Sequence, residues 1–238
     1  MLQVATATER VDSCLGAQGF AHGGGLAFHR RASSEVFGYA VRRVLKCHGS
    51  FELLLNVGVA APRVSCLAEY FAGGGDWSGG APVVYLPLVT FESERIPIYR
   101  FVDAAELDRT LARVTARLET AAIPWMDDLA SYDGLTRGVR EGCDGSHGDV
   151  RRSVELVILY GIRGEWELAH AQLAALERQL EDAGPAERWF GERWGGQQPA
   201  LRRIQDFVAT RTPPEEVERR ARKLIASVAR RLADLRRG

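Results

Sequence analysis

Between Ser50 and Ala61 the chain reads SFELLLNVGVAA, and no other stretch constrains the fold as strongly. Phe51, Leu53, Leu55, Val57 and Val59 alternate with Glu52, Leu54, Asn56, Gly58 and Ala60. Successive side chains on a strand point to opposite faces, so this period of two lays one unbroken apolar row along one side of a sheet. Pro62 closes the run, because proline has no N–H to donate to an interior ladder. The run predicts a central strand with a partner on either side.

The flanking sequence supplies those partners. Residues 2–18 predict a short helix with Val4, Val11 and Leu15 as its apolar contacts, ending at Gly16 or Gly19. Gly23–Gly25 reads as a turn, Leu26–Arg31 as a first strand and Glu35–Leu45 as a second, with Phe37, Tyr39, Val41 and Leu45 in phase. Short turns at Ala32–Ser34 and His48-Gly49 make the three strands an antiparallel meander. Arg63–Phe71 fits a helix and a strand equally well. The glycine-rich 71–80 stretch reads as a loop. Pro82–Phe91 reads as a buried strand, with Pro87 arguing for an edge, and Ile96–Phe101 as a last short one.

At Asp103 the period changes to 3.6. Asp103 with Glu106 makes a capping-box-like start to a helix over 104–121, with Leu107, Leu111, Val114 and Leu118 as its stripe. Pro124 is expected to break that helix, with short helices following at Trp125–Leu129 and Tyr132–Val139 and Ser131 and Asp133 as caps. Cys143–Gly148 reads as a loop. A helical hairpin over 147–183 turns at Gly164; its texture is like a tetratricopeptide hairpin, but a single copy makes no solenoid. Ala200–Thr210 predicts a helix, and Pro213-Pro214 opens a basic C-terminal helix over 213–236. The expected architecture is α+β: an antiparallel β-sheet of four to six strands in the N-terminal half, packed by a helical C-terminal half. The boundary falls near residue 102, giving regions 1–102 and 103–238, standing separately or sharing one core.

From Gly19 to Leu135 the order of motifs resembles the family catalogued as domain of unknown function 4304. The matching residues are Gly19-Phe20, Phe28-His29-Arg30, Leu55-Asn56-Val57-Gly58, the helix Asp103–Ala122 and Ile123-Pro124-Trp125. The resemblance covers about half the chain and implies a small bacterial protein with a sheet followed by helices; the family carries no assigned activity. The glycine insert at 73–80 and the helices after residue 147 depart from its pattern.

Composition narrows the function. A formal net charge of +0 over 238 residues gives no whole-molecule field toward nucleic acid or anionic lipid. The start lacks a basic, then apolar, export signal, and no apolar run approaches the roughly 18–20 residues of a membrane helix. Cys14, Cys47, Cys66 and Cys143 form no Cys-x-x-Cys pair and read as reduced thiols in a cytoplasmic protein. His22, His147 and His170 show no metal-ligand spacing, Cys47-His48 are neighbours rather than a nucleophile pair, and neither glycine run has a phosphate-loop pattern. No metal and no cofactor is expected.

The candidate binding residues are Arg30, Glu52 and Asn56 on two predicted strands, and Asp76 and Trp77 in the glycine-rich stretch, read as a contact loop. With no catalytic constellation at the required spacing, the leading expectation is a non-catalytic module that binds another protein, in an immunity-type or regulatory role. One alternative is an enzyme with a cleft between sheet and helices using Arg30, Glu52 and Asn56. Another is nucleic-acid binding through the arginines of the C-terminal helix, which its regular apolar stripe and acidic first turn argue against.

Overall fold

A computed structural model describes residues 2–72, 82–91, 99–142, 149–182 and 197–223. Asp76, Trp77, the Cys143–Gly148 loop, Trp189, Trp194 and the C-terminal helix beyond Lys223 lie outside the described residues. The fold is α+β, with an antiparallel sheet in the N-terminal half and most helices after it. Two compact units interleave along the chain: Met1–Ala60 with Val84–Gly134, and Ala61–Val83 with Leu135–Gly238. The change of period near residue 102 thus lies inside the first unit.

The first unit is built on the sheet. Its strands are β1 (Ala21–Gly24), β2 (Ala27–Arg31), β3 (Phe37–Cys47), β4 (Ser50–Ala60), β5 (Val84–Pro87) and β6 (Tyr99–Phe101). The order is β1-β2-β3-β4-β5, every pair is antiparallel, and β6 also pairs with β4. The SFELLLNVGVAA strand is therefore central: β3 lines one side over its full length, while β5 (opposite Asn56–Val59) and β6 (opposite Phe51–Leu53) share the other. Pro87 closes β5 on that outer edge, where its missing N–H breaks no interior ladder. β1 is a strand where only a turn is legible, with a register shift at Gly23; the turn falls at Gly25, whose φ of +58° suits glycine.

Helices α1 (Val4–Ala17), α3 (Ala104–Arg117) and α4 (Ile123–Asp128) belong to this unit. α1 buries Ala7, Val11 and Leu15 but leaves Val4 at its exposed start, and Gly19 follows at φ +81°. α3 has the expected cap: the Glu106 N–H donates to Asp103 Oδ1 at 2.8 Å, and Glu106 Oε2 accepts from Val102 N–H at 2.8 Å. Leu107, Val114 and Leu118 are buried, with Thr110 rather than Leu111 completing the covered stripe. Pro124 does not end the helical course. A π-helical turn at Leu118–Ala122 joins α3 to α4, and Pro124 stands in the first turn of α4. The wider ring, closed by Ile123 N–H to Leu118 O, relaxes the clash a proline ring makes with the carbonyl one α-turn behind.

The second unit is helical. Its first helix, α2 (Pro62–Ala72), resolves the Arg63–Phe71 ambiguity in favour of the 3.6 period. Pro62 takes the first helical position, and Val64, Leu67, Ala68 and Phe71 are all buried. After α5 (Tyr132–Arg140), capped by Ser131 Oγ accepting from Gly134 N–H at 3.0 Å, come α6 (Asp149–Ile162) and α7 (Trp166–Asp182). These form the hairpin, turning at Gly164 with φ +74°. α8 (Gln197–Thr210) follows, then α9 over 214–223. α2, α6, α7 and α8 enclose a core containing Phe71, Ile158, Leu176 and Phe207.

Candidate functional site

Directly opposed residues on antiparallel strands share a face, so the register sorts the sheet's side chains without ambiguity. One face carries Phe28 and Arg30 on β2, Gly38, Ala40 and Arg42 on β3, and the Phe51-to-Val59 row on β4. α1 and α4 pack on it: Arg42 holds Asp12 of α1, and Arg30 holds Asp127 of α4. The second face carries His29, Tyr39, Gly58 and Tyr85 in one cross-strand row, with Val41 and Asn56 in the next.

That assignment corrects the phase of β3. Phe37, Tyr39, Val41 and Leu45 are in phase, as expected, but their row is only half-buried, and Gly38, Ala40 and Arg42 form the buried one. α4 packs directly over this row: a Cβ on Gly38 would stand 3.5 Å from Met126 Sδ, an ordinary van der Waals contact.

The candidate trio does not converge. Arg30 lies on the helix-covered face, its guanidinium forked onto Asp127 at 2.6 Å and 3.3 Å. Glu52 and Asn56 lie on the other face. Glu52 Oε1 accepts from Arg100 Nε at 2.9 Å, a cross-strand pair from β4 to β6. Asn56 is half-buried and has no side-chain hydrogen bond among the described residues. Opposite faces of a sheet cannot furnish a base, a cation and an amide to one substrate, so Arg30, Glu52 and Asn56 do not form a cleft.

What the second face does hold is a set of polar tips on an apolar ground. The His29 ring packs edge-on to Tyr39, with centroids 5.3 Å apart. Its other side rests on Gly23, where a Cβ would come within 2.1 Å of His29 Cδ2; the bulge glycine makes room for the imidazole. Burial lowers the His29 pKa below its usual value and raises that of the Tyr39 phenol, so both are held neutral. Neither makes a side-chain hydrogen bond among the described residues. Phe37, Val41 and Leu54 around them are half-buried. The surface closes at Gly58, where the β5 backbone passes so near that a Cβ would stand 2.2 Å from the Val84 carbonyl oxygen. A neutral imidazole, a phenol and an amide spread over Val41 can donate and accept hydrogen bonds; they offer no activated nucleophile.

Comparison of the chain with known families, curated proteins and solved structures gives a short answer. Nothing matches. Among the described residues no group of three or more His, Cys, Asp or Glu could hold a metal ion, and no helix is long and apolar enough to cross a membrane. Tyr39 and Val41 escape a reading by sequence because aromatic and β-branched residues in phase are the ordinary mark of a core row. The available signal was the alternate row, Gly38-Ala40-Arg42, whose small members invite a helix.

Proposed function

We propose that this protein is a non-catalytic module that recognises another protein through the sheet face bearing Tyr39, Val41 and Leu54. The observation that carries this reading is the inequality of the two faces. α1 and α4 pack on one face, while on the other Tyr39, Val41 and Leu54 stay half-buried beside His29 and Asn56, whose side chains make no hydrogen bond among the described residues. An apolar centre with tyrosine and arginine around it is the usual composition of a protein interface. The ion pairs of Arg30 and Glu52, on opposite faces, weigh against an enzyme site there. The described start of the C-terminal helix weighs against nucleic-acid binding, since Arg220 and Arg222 pair with Glu216 and Glu218, and Val217 and Ala221 are buried. Cys14, Cys47 and Cys66 take part in no disulfide, which suits the bacterial cytoplasm, where an immunity-type or regulatory role is in keeping with such a module. The resemblance to the domain of unknown function 4304 family brings no activity to transfer, so the reading rests on the sheet face.

The test is affinity capture with the full chain. A protein retained by the wild type is expected to be lost with Tyr39→Ala and with Leu54→Asp, and kept with Leu168→Asp at an exposed position of α7. Capture indifferent to the first two substitutions would overturn the reading.

A further inference from the structure

The chemistry of the partner follows from the charges flanking this face, an inference that rests on the reading above. Arg31 ends β2 opposite Phe37, and Arg43 on β3 stands opposite Leu54, both on the Tyr39 side of the sheet. Both are exposed, and neither has an ion pair among the described residues. They contrast with Arg30, Arg42 and Arg100 of the same sheet, each of which holds a carboxylate. Glu52, the carboxylate on the described strands of this face, is already held by Arg100, so Arg31 and Arg43 present positive charge that no ion pair compensates among the described residues. Phe37, the partner of Arg31, and Arg43 stand six residue steps apart along β3. At the strand rise the two charges bracket about 20 Å, with Tyr39 and Val41 between them.

We propose that the partner docks an acidic, partly apolar polypeptide segment across this face, with carboxylates meeting Arg31 and Arg43 and apolar side chains seated on Tyr39, Val41 and Leu54. Arginine at a rim favours carboxylates through its fork geometry and steers association, while the apolar centre supplies most of the affinity. The aliphatic Val41 and Leu54 favour a polypeptide over a single-stranded nucleic acid, which stacks its bases on aromatic faces.

The probe is a fluorescein-labelled glutamate- and leucine-containing peptide, titrated with the full chain and followed by fluorescence anisotropy. Binding is expected to weaken as salt rises, to fall about tenfold or more in the double variant Arg31→Glu/Arg43→Glu, and to persist in Arg178→Glu on α7. The inference is overturned if the wild type ignores the peptide, if the double variant binds it equally, or if oligodeoxythymidylate binds more tightly than the peptide. A captured cellular partner that needs Tyr39 and Leu54 but not Arg31 and Arg43 would leave the sheet-face reading standing and remove this one.

Discussion

The Asp12–Arg42 pair, which fixes α1 on the sheet, allows a quantitative test of how the first unit is held together. Arg42 Nε lies 2.5 Å from Asp12 Oδ1 and its terminal nitrogen 2.7 Å from Oδ2, with the guanidinium carbon 5.7 Å from the Phe28 ring centroid. The Arg42 side chain is 9% exposed and that of Asp12 30%. Asp12→Ala strands a cation beneath a helix. Removing one partner of a fully buried pair costs about 3–5 kcal/mol, and the access of water to the Asp12 side lowers the expected value to about 2–3 kcal/mol. In a chain of this size that is a fall of roughly 5–10 °C in Tm. The double variant Asp12→Leu/Arg42→Met removes both charges while keeping comparable volume, and is expected within about 1 kcal/mol of the wild type. Urea unfolding followed by circular dichroism, run as a double-mutant cycle at low and high salt, reads the coupling. A cost under about 0.5 kcal/mol for Asp12→Ala, or a double variant less stable than Asp12→Ala, would show that the pair does not hold α1 on the sheet.

Three further outcomes follow from the same geometry. Gly58→Ala would press its Cβ against the Val84 carbonyl oxygen and to 2.7 Å from Tyr85 Cβ, so a loss of about 2–3 kcal/mol and faster amide exchange in β5 are expected. Gly23→Ala should destabilise by about 1–3 kcal/mol through its clash with the His29 ring, and His29→Ala should relieve most of that; undiminished cost in the double variant would exclude the ring as the cause. Stability should also depend on pH at both ends. Because the folded His29 pKa is lowered, its contribution is complete above the ordinary imidazole value of 6.5 and is lost as pH falls through the lowered value; because that of Tyr39 is raised, its contribution is complete below the ordinary phenol value of 10.0 and is lost as pH rises through the raised value. His29→Gln and Tyr39→Phe should flatten the acid and alkaline limbs of the urea-midpoint profile respectively.

Local chemistry was legible in the sequence. The Asp103–Glu106 cap, the Gly164 turn, the Ser131 cap and the central position of Phe51–Val59 each depend on residues a few positions apart, and each stands as expected. Alternation alone already placed Arg30 on the apolar side and Glu52 and Asn56 on the other. What it could not supply was the ion-pair partner of Arg30, since Asp127 lies 97 residues away. The buried row of β3 was hidden for a related reason: Gly38 and Ala40 look like weak strand formers, and what covers Gly38 is Met126 of α4, 88 residues further along the chain. At Pro124 the local rule held chemically but failed topologically, because a single widened turn absorbed the ring.

The order in which the chain is made gives α2 an uncomfortable interval. Arg203, which donates to the Phe71 carbonyl, is synthesised 132 residues after it, and at ribosomal speeds of about 5–20 residues per second that is a wait on the order of ten seconds. Val64, Leu67 and Phe71 then face water without α6 and α8, the helices they later pack against. Nascent chains stalled anywhere before α8 should therefore recruit hydrophobic-patch chaperones at this helix, and release them once Phe207 has emerged to meet Phe71.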